Sequence, residues 1–328
     1  MNQPITYKLQ PLDSRIPRWD FDDLTVRDCP FCSTHNEGPS YIRPDGLTVR
    51  KCNNCNTWYV SPSPSEKQIK QFYGNYQESH GRVHLSSPLK IAALYDSISP
   101  MSDIRLLELG SLMKFEGAKV LDIGFGKCQF LYMLRRLGAI PYGFELDKNA
   151  IELARSFNIT VFEDENNLFS SKLKFDLISL LDLVEHPLNP MDLLRRSSDL
   201  LNPGGLLLIW TPNGDFASVD SNLTTFRVDL EHMQYFSPST CLYAAAELKI
   251  RIAHLEGLGF PQLEGIKKPK GSKSSGKNKV KEICKSFPGF FELNRLRHRL
   301  FRKSQDPRSG SYHLFCIMKK PDASQGLV

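Results

Sequence analysis

The sequence predicts an α/β fold, a Rossmann-like sheet with helices on both faces, preceded by a small cysteine-rich ribbon. Three observations carry that expectation. Strand-like and helix-like runs alternate as far as about residue 260, the pattern of a parallel sheet. An Asp-x-Gly-x-Gly turn, Asp122 to Gly126, follows the first clear strand of that region and precedes a helix. Upstream, Cys29-x-x-Cys32 and Cys52-x-x-Cys55 form two matched pairs.

In chain order, residues 1–28 read as an N-terminal arm with little periodicity, and 29–62 as the ribbon. Four thiolates in two knuckles can surround one zinc ion tetrahedrally. Four protein ligands leave no open position, so such a metal is structural rather than catalytic. The alternative is four unrelated buried cysteines. The run Ser61-Pro62-Ser63-Pro64-Ser65 breaks regular structure, and Ser63 or Ser65 can cap a helix with Glu66 in its first turn. Residues 63–100 then supply linker helices. The aromatic stretch from Phe72 through Tyr76 and His80 to His84 reads as an ordinary linker.

Residues 101–320 form the main domain. Strands are expected at Lys119–Ile123, Ile140–Glu145, Thr160–Phe162, Phe175–Leu180, Leu206–Trp210, Ile250–Glu256 and Tyr312–Met318. Helices are expected at Phe130–Leu137, Ala150–Phe157 and Met191–Leu201, and residues 321–328 are a tail.

Composition sets outer limits. The 328 residues, 41% hydrophobic and 24% charged, are those of an ordinary globular chain of about two domains. No apolar run approaches the roughly 18 residues needed to span a bilayer. The first 15 residues lack the apolar core of a secretory signal, so a cytoplasmic protein is expected and the cysteine pairs read as metal ligands rather than disulfides. The net charge of +6 is uneven: residues 261–308 hold 14 Lys or Arg against 4 Asp or Glu, leaving the rest of the chain at −4.

Asp122, Gly124 and Gly126 sit where glycines permit a tight turn and a close ligand. Glu145 ends the next strand, where a carboxylate can accept hydrogen bonds from both hydroxyls of a ribose. Together they indicate a nucleoside-containing cofactor. Cys128 stands at the position of a third glycine in the run Gly-x-Gly-x-Cys, and nothing specific for phosphate is evident, which points away from NAD.

Three further segments bring in a resemblance. The run Phe175 to Pro190, containing Asp182-Leu-Val-Glu185-His186-Pro, resembles the fourth-strand motif of class I S-adenosylmethionine-dependent methyltransferases. Leu200 to Asn213 resembles their next motif. Glu231-His232-Met-Gln-Tyr235-Phe236-Ser237 is similar to a segment of the ubiquinone-biosynthesis-like branch, and residues 52–73 to the ribbon-plus-linker of many bacterial sugar and natural-product methyltransferases. The resemblance covers about residues 29–260 and the last strand. It implies a seven-stranded sheet with an antiparallel last strand and S-adenosyl-L-methionine as cofactor. Asp122, Gly124 and Gly126 are then expected on its methionine and ribose side, and Glu145 on the ribose. Asp164 is expected near the adenine amine, and Leu181 and Asp182 at the border of the site.

Methyl transfer to a hydroxyl benefits from a base within reach. His186 and His232 are the candidates, each just outside a strand end where open sheets bind ligands. His186 also reads as a structural support for the next helix or the cofactor. Tyr235 and Tyr76 read as pocket-closing, core or lid aromatics, and the resemblance implies that the stretch Phe72 to His84 forms part of a lid over the cofactor.

The segment 261–285 is Lys-, Gly- and Ser-rich and reads as a solvated loop. Residues 289–303 read as a basic amphipathic helix, with Phe290, Leu293, Leu296 and Leu300 on one face. Plain packing on the domain, peripheral contact of 267–303 with an anionic membrane surface, and nucleic-acid binding are its three readings. The leading function is methylation of a small molecule or glycan, such as a sugar nucleotide or lipid-linked saccharide. An RNA methyltransferase and a non-catalytic cofactor-binding partner protein are the alternatives. Only Arg43, Arg50 and Lys51 are basic between Cys29 and Cys55, which weighs against RNA.

Overall fold

The computed structural model describes residues 6–35, 38–74, 87–259 and 311–322. Tyr76, His80, His84 and the basic segment 261–308, with its expected helix, lie outside them. Among the described residues no helix is long and apolar enough to cross a membrane.

The N-terminal part supplies β1 (Thr6–Lys8), β2 (Leu24–Thr25), β3 (Ser40–Ile42), β4 (Thr48–Lys51), β5 (Trp58–Val60) and β6 (Ser63–Pro64). Strands β3, β4 and β5 form an antiparallel meander. Strand β1 joins β3 in parallel, so the arm expected to lack periodicity contributes an edge strand. β6 pairs with β2 within the Ser-Pro run, a short ladder that alternating prolines conceal in the sequence. Helix α1 (Glu66–Gly74) follows, with Ser65 Oγ accepting from the Gln68 amide at 3.4 Å.

The main domain continues with α2 (Pro88–Ser97), α3 (Ile104–Gly110), β7 (Lys119–Ile123), α4 (Gln129–Arg136), β8 (Ile140–Phe144), α5 (Lys148–Ser156) and β9 (Thr160–Phe162). Then come α6 (Glu165–Phe169), β10 (Phe175–Leu181), α7 (Pro190–Asp199), β11 (Leu201–Pro212), α8 (Phe216–Val219), β12 (Gln234–Tyr235), α9 (Pro238–Glu247), β13 (Arg251–Leu258) and β14 (His313–Lys319). The large sheet has the order β13-β14-β11-β10-β7-β8-β9. β14 runs antiparallel to both neighbours and the other pairs are parallel, as expected of the seven-stranded sheet.

Burial follows the two-residue period of a strand. Leu121, Ile123, Ile178, Leu180, Leu207 and Ile209 fill the layer on one face, and Val120, Leu177, Leu206 and Leu208 the layer on the other. Covering both faces makes these strands near-continuous apolar runs. Each fully buried Leu or Ile contributes roughly 1.5–3 kcal/mol of transfer free energy. Helix α9 carries no complete start signal in the sequence. Its capping box uses Thr240 at the third helical position, where Glu or Gln is the usual signal.

Order reverses on either side of β7, so the crevice at the carboxyl ends of β7 and β10 is the switch point where open sheets bind ligands. The second sheet, β1-β3-β4-β5-β12, reaches the same place, because β12 from the main domain pairs antiparallel with β5 of the ribbon. Cys29, Cys52 and Cys55 pack in the same apolar layer as Leu121 and Ile178.

Candidate active site

The turn after β7 is built for close approach. Gly124 and Gly126 have φ of +74° and +49°, the left-handed region that glycine enters without Cβ conflict. Cys128 shares it at φ +49° and is fully buried. The position of the missing third glycine is therefore left-handed too, at a cost of roughly 1–2 kcal/mol for a residue with a Cβ. Asp122 is buried at the end of β7 and accepts from Ser179 Oγ at 2.6 Å. Burial pushes its carboxyl up to about 7, against the Ser179 bond and the Arg105 charge, which both pull it down.

Glu145, half-buried just past β8, closes on this turn. One oxygen accepts from the Gly126 amide at 2.9 Å, and the other from the Leu146 and Asp147 amides at 2.7 and 3.1 Å. Asp164 lies at the carboxyl end of β9, exposed, with Oδ1 capping α6 through the Asn167 amide at 2.9 Å. Leu181 ends β10, and Asp182 turns the chain with φ +49°. A Cβ at Gly124 would meet Leu183 at 3.2 Å, so the loop leaving β10 rests on the glycine turn.

That loop carries the second group. One ligand-type atom from each of Glu185, His186 and His232 lies within 4.8 Å of the other two. His186 Nδ1 is 2.6 Å from the Tyr73 hydroxyl of α1, and its ring meets His232 edge-on with centroids 4.8 Å apart. His232 Nε2 is 3.9 Å from Glu185 Oε1. The other carboxyl oxygen of Glu185 accepts from Thr211 Oγ1 at 2.8 Å, while Oε1 is buried with no hydrogen-bond partner. Burial holds the group neutral. It lowers His232 to about 4 and His186 to about 3, the latter also repelled by His232, and it raises Glu185 well above the usual carboxylate range.

Glu185 and Tyr73 were not singled out in the sequence, although both lie in segments that were. A glutamate before a histidine is an ordinary pair until its partner from β12's approach is known. Tyr235 is placed in the core rather than over a pocket: it is fully buried in β12.

The cysteine cluster completes the site's surroundings. The four sulfurs lie within 4.8 Å of one another, with 3.4 Å between Cys29 and Cys55 and between Cys32 and Cys52. A disulfide needs about 2.05 Å, and a tetrahedron of Zn–S bonds has edges of about 3.8 Å. Ser33 and Asn56, each following a pair, have φ of +53° and +60°. Their amides donate to the carbonyls of Cys29 and Cys52, closing two similar knuckles. The donor set and spacing fit a closed tetrahedral metal centre.

Residues 94–247 match the methyltransferase-domain family. The glycine turn and strands β7 to β12 fall within the matched residues, and β13 and β14 lie outside them. Among curated proteins, the ubiquinone biosynthesis O-methyltransferase of Ruegeria pomeroyi is 28% identical over 167 residues, 47% of this chain and 64% of that protein. Its counterpart in Xanthomonas oryzae pv. oryzae is 27% identical over 157 residues, 42% of this chain and 66% of that protein. The matches thus span less than two thirds of these relatives. Among solved structures, an S-adenosylmethionine-dependent methyltransferase from Archaeoglobus fulgidus aligns with a TM-score of 0.45 at 19% identity, over 76% of this chain and all of that one.

Proposed function

We propose that this protein is an S-adenosylmethionine-dependent methyltransferase acting on a hydroxyl of a small molecule, with His232 as the base. The observation that carries the reading is the contact between the two halves of the site. Leu183, which begins the loop bearing Glu185 and His186, lies against Gly124, which supports reading the histidines as neighbours of the turn where a cofactor would lie. That the relatives are O-methyltransferases of ubiquinone biosynthesis favours a phenolic acceptor, with a glycan hydroxyl as the second class.

The cofactor supplies a methyl group made electrophilic by a sulfonium. Glu145 holds the ribose hydroxyls, Asp122 and the glycine turn border the methionine end, and Asp164 and Leu181 with Asp182 border the rest. His232, neutral at physiological pH, takes the acceptor's hydroxyl proton. Glu185 Oε1 faces the ring at 3.9 Å and, as a neutral carboxyl, borders it without adding charge. Zinc in the cysteine cluster holds the ribbon and takes no part in the chemistry.

Tritium transfer from labelled cofactor to a panel of catechols, substituted phenols and sugar nucleotides tests this. We expect turnover on a phenol, with His232→Asn lowering kcat by about 10²–10⁴-fold and leaving cofactor affinity intact. Failure to bind S-adenosylhomocysteine at all, or full activity in His232→Asn, overturns the corresponding half of the proposal.

A further inference from the structure

The loop that carries His232 makes an unusual share of its hydrogen bonds to the far N-terminal part of the chain. Arg43 sits in the tight turn between β3 and β4, fully buried. Its guanidinium grips Asp45 with two bonds, Nε to Oδ1 at 3.1 Å and one Nη to Oδ2 at 2.5 Å. The remaining bonds leave the ribbon. They go to the carbonyl of His232 itself at 2.6 Å, the carbonyl of Leu230 at 2.5 Å and the hydroxyl of Tyr235 at 3.1 Å. All five N–H donors of an arginine are thereby used. Asp45 is fixed in turn by the indole of buried Trp19 at 2.9 Å.

A second arginine repeats the arrangement one residue further along. Arg27 donates to the carbonyl of Val60 in β5, then to the carbonyls of Met233 and Leu188 at 2.5 and 3.0 Å. It therefore ties the His232 loop to the His186 loop. The Met233 amide donates to the Glu185 carbonyl at 2.8 Å, closing the circle. Burial without a carboxylate partner lowers Arg27 to about 10, still charged at neutral pH.

We infer that Arg43 is a positioning residue for His232, through which the four-cysteine ribbon sets the geometry of the acceptor side of the site. Two buried cations aimed at backbone carbonyls of one loop are a costly way merely to pack two surfaces. Apolar side chains do that without desolvating charge. What bidentate, planar arginines add is a fixed orientation. Here the orientation is that of a ring whose placement decides whether it reaches the acceptor's proton, and a displacement of about 1 Å there costs about 100-fold in rate. The inference rests on the reading of His232 as the base. Besides Arg43, the charged groups around that ring are Glu231, Arg15 and Asp13, and neutral Glu185 and His186 lie against it.

The test uses the full-length, zinc-loaded protein with Arg43→Lys, Arg43→Met and Tyr235→Phe. Zinc content and S-adenosylhomocysteine affinity report the fold. Nitrogen NMR of histidine-labelled protein reports the His232 ring, its signal assigned by His232→Asn. We expect one zinc per chain and affinity within about threefold of wild type. In Arg43→Met the His232 midpoint rises by about one pH unit or more, because a neighbouring cation is gone and the loop admits water. Turnover of the acceptor found by the panel drops about 100-fold in kcat with little change in KM. Arg43→Lys, which keeps the charge but not the fork, loses kcat with a smaller change in midpoint, and Tyr235→Phe falls between it and wild type.

An unchanged midpoint and kcat in variants that retain zinc overturn the inference. So does a loss of S-adenosylhomocysteine binding that parallels the loss of kcat. If both Arg43 variants fail to fold, Tyr235→Phe carries the same two outcomes alone. A wild-type protein that binds S-adenosylhomocysteine but methylates nothing removes the proposed reaction, and the ring titration still decides the positioning.

Discussion

The cofactor side and the acceptor side of this site are assembled by opposite means. Asp122, Gly124, Gly126 and Glu145 come from 24 consecutive residues, two adjacent parallel strands and the turns that follow them. The hydrogen bonds of Glu145 are short-range: Gly126 to Glu145 spans 19 residues, and Leu146 and Asp147 lie one and two positions from it. The acceptor side is gathered from afar. Tyr73 reaches His186 across 113 positions and Arg43 reaches His232 across 189. A local constellation can be specified by a motif, whereas a distributed one depends on how two sheets are joined.

The joint between those sheets is where the comparison breaks most easily. Cys55→Ser removes one ligand from a closed metal centre that, when it holds zinc, contributes about 10 kcal/mol or more of apparent binding energy. We expect loss of bound zinc on metal analysis and a much lower melting temperature. Hydrogen exchange should accelerate first in residues 24–64 and 230–236, and only later in 119–145. Uniform acceleration in both regions would mean that the two sides are one cooperative unit despite their different construction.

Glu145→Ala probes the local side alone. The carboxylate makes three bonds to backbone amides and is positioned to hold a ribose. Charged hydrogen bonds contribute about 1.5–3 kcal/mol each, so S-adenosylhomocysteine affinity should fall by about 10- to 100-fold by calorimetry. The His232 midpoint should not move. Movement there would show the two sides to be coupled through the loop resting on Gly124.

The same contrast explains what the sequence disclosed. The strands β7 and β9 were legible to the residue, and β8 and β10 to within one, because a sheet covered on both faces leaves long apolar runs between polar turns. The cofactor turn was legible because its glycines answer a conformational need at fixed spacing. The cysteine cluster was legible because two knuckles repeat one spacing. Glu185 was hidden because nothing local marks a carboxyl whose partners are Thr211 and a ring 47 positions away. Arg43 was counted only as one of three basic residues in the ribbon, when its role depends on β12 pairing with β5. That pairing is two residues long and has no periodicity to read.

The smallest expected effect sharpens the cofactor side further, through Asp122. Burial raises its carboxyl to about 7, so near neutral pH the free protein holds a substantial fraction of it protonated. The cofactor carries a positive sulfonium, and a cation at this end of the site favours the ionised carboxylate. The sign then follows. Above pH 7 the carboxylate is already charged and affinity should be flat. Below pH 7 binding must first expel a proton, at about 1.4 kcal/mol per pH unit. Between pH 8 and pH 6 the S-adenosylmethionine affinity should therefore fall by up to about tenfold, and Asp122→Asn should flatten the curve. Calorimetry in buffers of different ionisation enthalpy gives the proton count directly. Proton release near pH 6 that vanishes in Asp122→Asn supports the assignment; release that persists in the variant moves it to another group. Repeating the titration with S-adenosylhomocysteine, whose sulfur is neutral, locates the charge that Asp122 meets. A dependence lost with that ligand assigns the carboxylate to the sulfonium, and one that remains assigns it to the ammonium that both molecules share.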